Sequence, residues 1–144
     1  MIESDTIKLL RECDAGLKMG VSSIDDSQKY VQSTSLMKIL DDSKREHDKI
    51  KTELGNLLNK YHDDGKEPPA MAKGMSWIKT NFVLASEESD GAVSNFITDG
   101  CNMGVKSLSK YLNQYAAADE KSKDIAKRLI KIEEQLSKDV REYL

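Results

Sequence analysis

Proline is almost missing from this chain. Two occur in 144 residues, Pro68 and Pro69, adjacent near the middle, with 67 residues before them and 75 after them free of any. Average usage of about 5% would supply roughly seven, and proline is the residue that most strongly breaks a helix. Aromatics are scarce too, at 6%, too few for a sandwich or barrel built on aromatic and β-branched alternation. The two cysteines, Cys13 and Cys101, are too few for a disulfide framework and lack the close spacing of a zinc knuckle, which leaves reduced thiols as the expectation. No apolar run exceeds the size of the 82–85 stretch, far short of the ~18 residues of a membrane span, so no membrane partner is expected. Charge of one sign is lacking as well: 22 Lys plus Arg against 25 Asp plus Glu give −3, with no block of five like charges. A basic face that releases counterions is what nucleic acid binding requires, and no nucleic acid partner is expected. The opening residues, Met1-Ile2-Glu3-Ser4-Asp5, are acidic and polar, unlike a secretory signal, and the expected address is cytoplasmic.

What remains is a chain with 33% charged residues and apolar residues at helical spacing. Ile7, Leu10, Leu17, Val21, Ile24 and Val31 follow a 3-4 rhythm that Asp14 interrupts, predicting a helix over 6–31 capped by Asp5 or Ser4. Leu36, Ile39/Leu40, Ser43, His47, Ile50, Leu54, Leu57/Leu58 and Tyr61 predict a second over 35–61, with Gly65 as its stop. Val93, Ile97, Cys101, Gly104, Leu108, Tyr111/Leu112 and Tyr115 predict a third over 90–115. Ile125, Leu129, Ile132, Leu136, Val140 and Tyr143 predict a fourth over 119–143, with Asp119 as cap. After the proline pair, Met71, Met75, Ile78 and Phe82 with Trp77 beside them predict a short amphipathic crossover helix over 69–84.

Connection lengths set the expected topology. The first two helices are joined by a few residues around 32–35 and the last two by 116–118, so each pair should be an antiparallel hairpin. The 62–89 connection is long enough to travel the ~38 Å of a 25-residue helix, which would set the third helix parallel to the second. The whole of 1–144 is then one domain. An internal repeat supports equivalent halves: Cys13-Asp14-Ala15-Gly16-Leu17-Lys18 matches Cys101-Asn102-Met103-Gly104-Val105-Lys106. It reads either as a duplicated site or, more simply, as a duplicated packing solution in which Gly16 and Gly104 let helices approach.

Two helical hairpins joined by a long crossover resemble the ferritin-like superfamily. The Cys-Asp-Ala-Gly stretch and Gly74-Met75-Ser76-Trp77-Ile78-Lys79 resemble, more narrowly, an uncharacterised bacterial four-helix-bundle family within it, a domain of unknown function. The resemblance implies an all-α, ferritin-like bundle and, in its di-iron members, one Glu on each of the first and third helices and Glu-x-x-His on the second and fourth. Carried over residue by residue, His47 stands for the second-helix His, but Lys44 replaces its Glu and Glu46 is adjacent. The first helix offers Glu12, Cys13 and Asp14, the third Cys101 with Asp99 nearby, and the fourth Glu133 and Glu134 with no His. A binuclear centre needs about four carboxylates and two imidazoles, and this set is at most half of that.

The polar seam residues Asp14, Ser43 and His47 need partners if buried. A hydrogen-bonded pair, His47 with Asp14 or a backbone carbonyl, is the plain expectation; a mononuclear metal site around Glu12, Asp14, Glu46 and His47 is the other. The thiols sit mid-helix beside Asp14 and Asp99, and carboxylates raise a thiol's pKa, so inert packing is expected of them. No Gly-rich phosphate loop, Ser-His-Asp order or Glu-x-x-His is present. The expected protein is therefore non-catalytic, without a cofactor, engaged in binding or assembly and able to self-associate through the Met71/Met75/Trp77 stripe. The alternative is a relative that binds iron or manganese.

Overall fold

The computed structural model describes residues 2–68 and 89–144. Four α-helices account for most of them: α1 Ile2–Gln28, α2 Thr34–Lys60, α3 Ser89–Gln114 and α4 Glu120–Asp139, followed by a 3-10 turn at Arg141–Tyr143. No strand occurs among the described residues. The fold is all-α, a helical bundle. The expected crossover helix over 69–84 lies outside the described residues.

The predicted helices recur with shifted ends, and each shift has a local cause. The first begins at Ile2, so Ser4 and Asp5 lie within its first turn and neither is a cap. The Asp5 carboxylate accepts instead from the Ala117 amide at 3.1 Å, and the Thr6 hydroxyl accepts from the Asp119 amide at 2.9 Å. Both tie the α3–α4 turn to the start of α1. That helix ends at Gln28, short of the expected Val31, where the Tyr30 and Val31 amides turn back onto Ser27 and Gln28. Ser33 caps α2 by accepting from Leu36 N, and Asp119 caps α4 by accepting from Ser122 N at 2.9 Å, as its position suggested. The α4 helix closes at Val140, and the last turn tightens to 3-10 over the final residues.

Gly65 does not stop α2. The helix ends five residues earlier, where the Asp63 amide bonds Leu58 O and the His62 amide bonds Asn59 O, a Schellman closure with His62 at φ 54. Gly65, at φ +82, makes the next bend.

Two apolar clusters fill the interior. One joins Leu9, Leu10, Cys13 and Leu17 of α1 with Ile50, Leu54 and Leu58 of α2, Leu108 of α3, and Ile125, Ala126 and Leu129 of α4. The other joins Ile24 with Leu36, Leu40, Val93, Ile97, Cys101, Leu136 and Val140. Each cluster therefore combines the amino-terminal part of some helices with the carboxyl-terminal part of others. The α1–α2 turn is tied to the start of α3 by the Asp90 carboxylate, which accepts from the Gln32 and Ser33 amides at 2.7 and 3.1 Å.

A non-glycine residue in the left-handed region costs roughly 1–2 kcal/mol. His62→Gly is therefore expected to raise the unfolding midpoint by a few degrees in a thermal melt followed by circular dichroism, with the helix content unchanged.

Candidate functional site

Between the two apolar clusters lies a polar layer to which every helix contributes. Along α2, His47 falls between Leu40 and Ile50; along α4, Glu133 falls between Leu129 and Leu136. The seam spacing 129, 133, 136, 140 carries Glu133 into the interior, where only 8% of it is exposed, and His47 is fully buried. Their side chains meet, with His47 Nε2 2.9 Å from Glu133 Oε1.

The other ring nitrogen fixes the protonation. His47 Nδ1 lies 2.7 Å from the Ser43 carbonyl oxygen, which only accepts, so Nδ1 carries a hydrogen. The contact between Nε2 and the carboxyl then requires a second proton. Burial, the largest influence on His47, pushes its pKa down; the hydrogen bond and charge of Glu133, with the Ser43 carbonyl and the Asp48 charge, outweigh it and hold the imidazole above its ordinary value. With that proton on Nε2, the pair is an imidazolium facing a carboxylate.

Glycines make room for it. A Cβ on Gly20 of α1 would lie 2.9 Å from His47 Nε2 and 3.3 Å from Glu133 Oε1. On Gly104 of α3 it would lie 3.5 Å from Glu133 Oε2, ordinary contact. The pKa of the Cys101 thiol is raised by burial first and then by the nearby Glu133 carboxylate. Cys13, in the first cluster, is pushed up to about 12 by burial and by Glu12 and Asp14. Both thiols are buried and protonated, the state least suited to nucleophilic or redox chemistry.

The residues expected around His47 go elsewhere. Asp14 is six residues from Gly20 along α1, about 9 Å at 1.5 Å per residue. Its carboxylate takes Lys18 Nζ at 2.8 Å and the Lys66 amide at 3.0 Å. Glu12 pairs with Lys66 at 2.6 Å. Glu46 faces outward and pairs with Lys49 at 3.1 Å. Asp99 is exposed. Of the expected partners for His47, the backbone carbonyl is found and Asp14 is not. No group of three or more His, Cys, Asp or Glu side chains among the described residues is arranged to hold a metal ion. The repeat is unequal in its surroundings: a Cβ on Gly16 would approach Leu108 no closer than 4.0 Å, whereas Gly104 faces Glu133.

The residues that sequence reasoning missed are Gly20 and the inward face of Glu133. Reading only apolar residues places Ile132 in the α4 seam, and Ile132 is only partly buried. Comparison with family models, curated proteins and solved structures finds no match to this chain.

Gly20→Ala is expected to destabilise the protein by about 1–3 kcal/mol, because the methyl group meets a buried, hydrogen-bonded ring. Gly104→Ala is expected to be neutral or to stabilise by up to about 1 kcal/mol through helix propensity. Urea denaturation of both variants measures the contrast.

The raised His47 pKa also gives stability a pH dependence. An unfolded histidine titrates near about 6.5. The proton bound by the folded pair stabilises fully below that value, and the contribution is lost as pH rises through the higher folded value. The unfolding free energy should fall across that window by up to about 1.4 kcal/mol per pH unit. Denaturation from pH 6 to 9 in parallel with His47→Leu/Glu133→Leu isolates the effect, since replacing both members of a buried pair is often near neutral.

Proposed function

We propose that this chain is a non-catalytic helical bundle of ferritin-like organisation, cytoplasmic and engaged in binding or assembly, in which a proton takes the place that metal holds in the di-iron members of that superfamily. The observation that carries this reading is the His47–Glu133 pair. Both imidazole nitrogens are engaged, one by the Ser43 carbonyl and one by Glu133, while Glu12, Asp14 and Glu46 are bound to lysines. The placement of the clusters supports the same organisation. The amino-terminal parts of α1 and α4 share a cluster with the carboxyl-terminal parts of α2 and α3, as two antiparallel hairpins joined by a crossover would arrange them.

A second reading, iron or manganese binding, has one observation in its favour. A carbonyl on Nδ1–H is also how a ligating imidazole is oriented, with Nε2 free to bind. In that reading the metal would displace the proton between His47 and Glu133.

Metal analysis of untagged protein, followed by anaerobic titration with ferrous iron and with manganese, separates the two. The proton reading expects substoichiometric metal as purified and no saturable binding. Stoichiometric metal that disappears in His47→Ala would establish the second reading instead.

A further inference from the structure

Four polar residues of α1, Arg11, Glu12, Asp14 and Lys18, are committed to a short segment following α2. Residues 62–67, His-Asp-Asp-Gly-Lys-Glu, contain no large apolar side chain. They lie along α1 in alternating charge. Asp63 takes Arg11 through both carboxylate oxygens, with Nη2–Oδ1 at 2.6 Å; Lys66 takes Glu12 at 2.6 Å; and Glu67 takes Lys18 at 2.8 Å. The Lys66 amide donates to Asp14 at 3.0 Å. His62 and Gly65, both at positive φ, bend the chain before and within the segment. The approach at Gly65 is tight, since a Cβ there would lie 2.1 Å from Asp14 Oδ2 and 3.4 Å from Leu58 Cδ1.

We propose that residues 62–67 form a salt-sensitive strap, which leaves α1 as a unit without unfolding the bundle and in doing so uncovers Asp14 and the flank of Leu58. The helices are held by apolar clusters that salt does not weaken, whereas the strap is held by ion pairs whose cations are 28–47% exposed and whose anions range from 11% at Asp63 and 14% at Glu12 to 76% at Glu67. Exposed pairs are individually weak and are screened as ionic strength rises. The segment and the bundle therefore answer to different forces, which is the condition for local opening below the global unfolding free energy.

Amide hydrogen exchange of the full chain, resolved by residue, tests this at about 0.1 M and about 1 M NaCl, where the screening length falls from roughly 10 Å to roughly 3 Å. The Lys66 amide is the reporter. The Ser122 amide, bound to the Asp119 carboxylate in the α4 cap, is the internal control. The expected result is exchange at Lys66 about tenfold faster in high salt relative to Ser122, the size that three weak pairs acting together supply. Arg11→Gln should bring that faster exchange to low salt while the thermal midpoint of the helices stays at its parent value. Salt-independent exchange at Lys66, exchange at the rate of the core helical amides in both salts, or Lys66 exchange in Arg11→Gln equal to the parent would each overturn the proposal.

Discussion

A fully buried imidazole whose Nδ1–H is already given to a carbonyl has one way to face a carboxylate 2.9 Å away, and that is with a proton between them. Without it, a lone pair would oppose an anion in the interior, and with only one of the two residues present a polar group would be stranded there, at a cost of about 3–5 kcal/mol if charged. The pair consequently fixes the axial register of α2 against α4. Sliding either helix by one turn, 5.4 Å, would part His47 from Glu133 while leaving apolar side chains in apolar surroundings. The two leucine-rich clusters supply cohesion but tolerate many registers; the polar layer between them tolerates one.

The ends of the bundle are set by a different device, side chains that accept from the amides of turns. Asp90 holds the α1–α2 turn, Asp5 and Thr6 hold the α3–α4 turn, and Ser33 and Asp119 cap the helices that follow. Tyr61 adds its hydroxyl to Asp119 at 3.4 Å. These bonds satisfy amides that helix ends and turns would otherwise leave to water. They also join parts of the chain that are distant in sequence, since Asp90 lies 58 residues from Gln32 and Thr6 lies 113 from Asp119.

Much of this was legible in the sequence. The α2 seam follows the apolar rhythm position by position, with Leu36, Leu40, Ser43, His47, Ile50, Leu54 and Leu58 all buried, because its polar members fall where apolar residues otherwise would. Along α1 the stripe is rotated: Thr6, Leu9 and Cys13 are buried while Ile7 and Val21 are only partly so. A small polar residue and a thiol count for little in a hydrophobic pattern, yet here they carry the inner face. The site was half legible. Burial of His47 and its need for a partner followed from its seam position, but the identity of the partner depends on how far α4 is displaced along α2. Local spacing has no access to that displacement. The glycine that makes space is equally hard to read, since a helical glycine gives no sign of what stands opposite it.

Gly20 links this geometry to the order in which the chain can change. A side chain at that position is incompatible with the ring of His47 and the carboxylate of Glu133 where they now stand, so the three positions do not vary independently. A lineage that exchanged both charged residues for smaller apolar ones would find position 20 open to alanine and the better helix it brings. Taken in the reverse order, the same three substitutions pass through a protein with a methyl group forced against a buried ion pair. The mid-helix glycine is thus tied to the pair: while His47 and Glu133 stand where they do, position 20 has no room for a side chain.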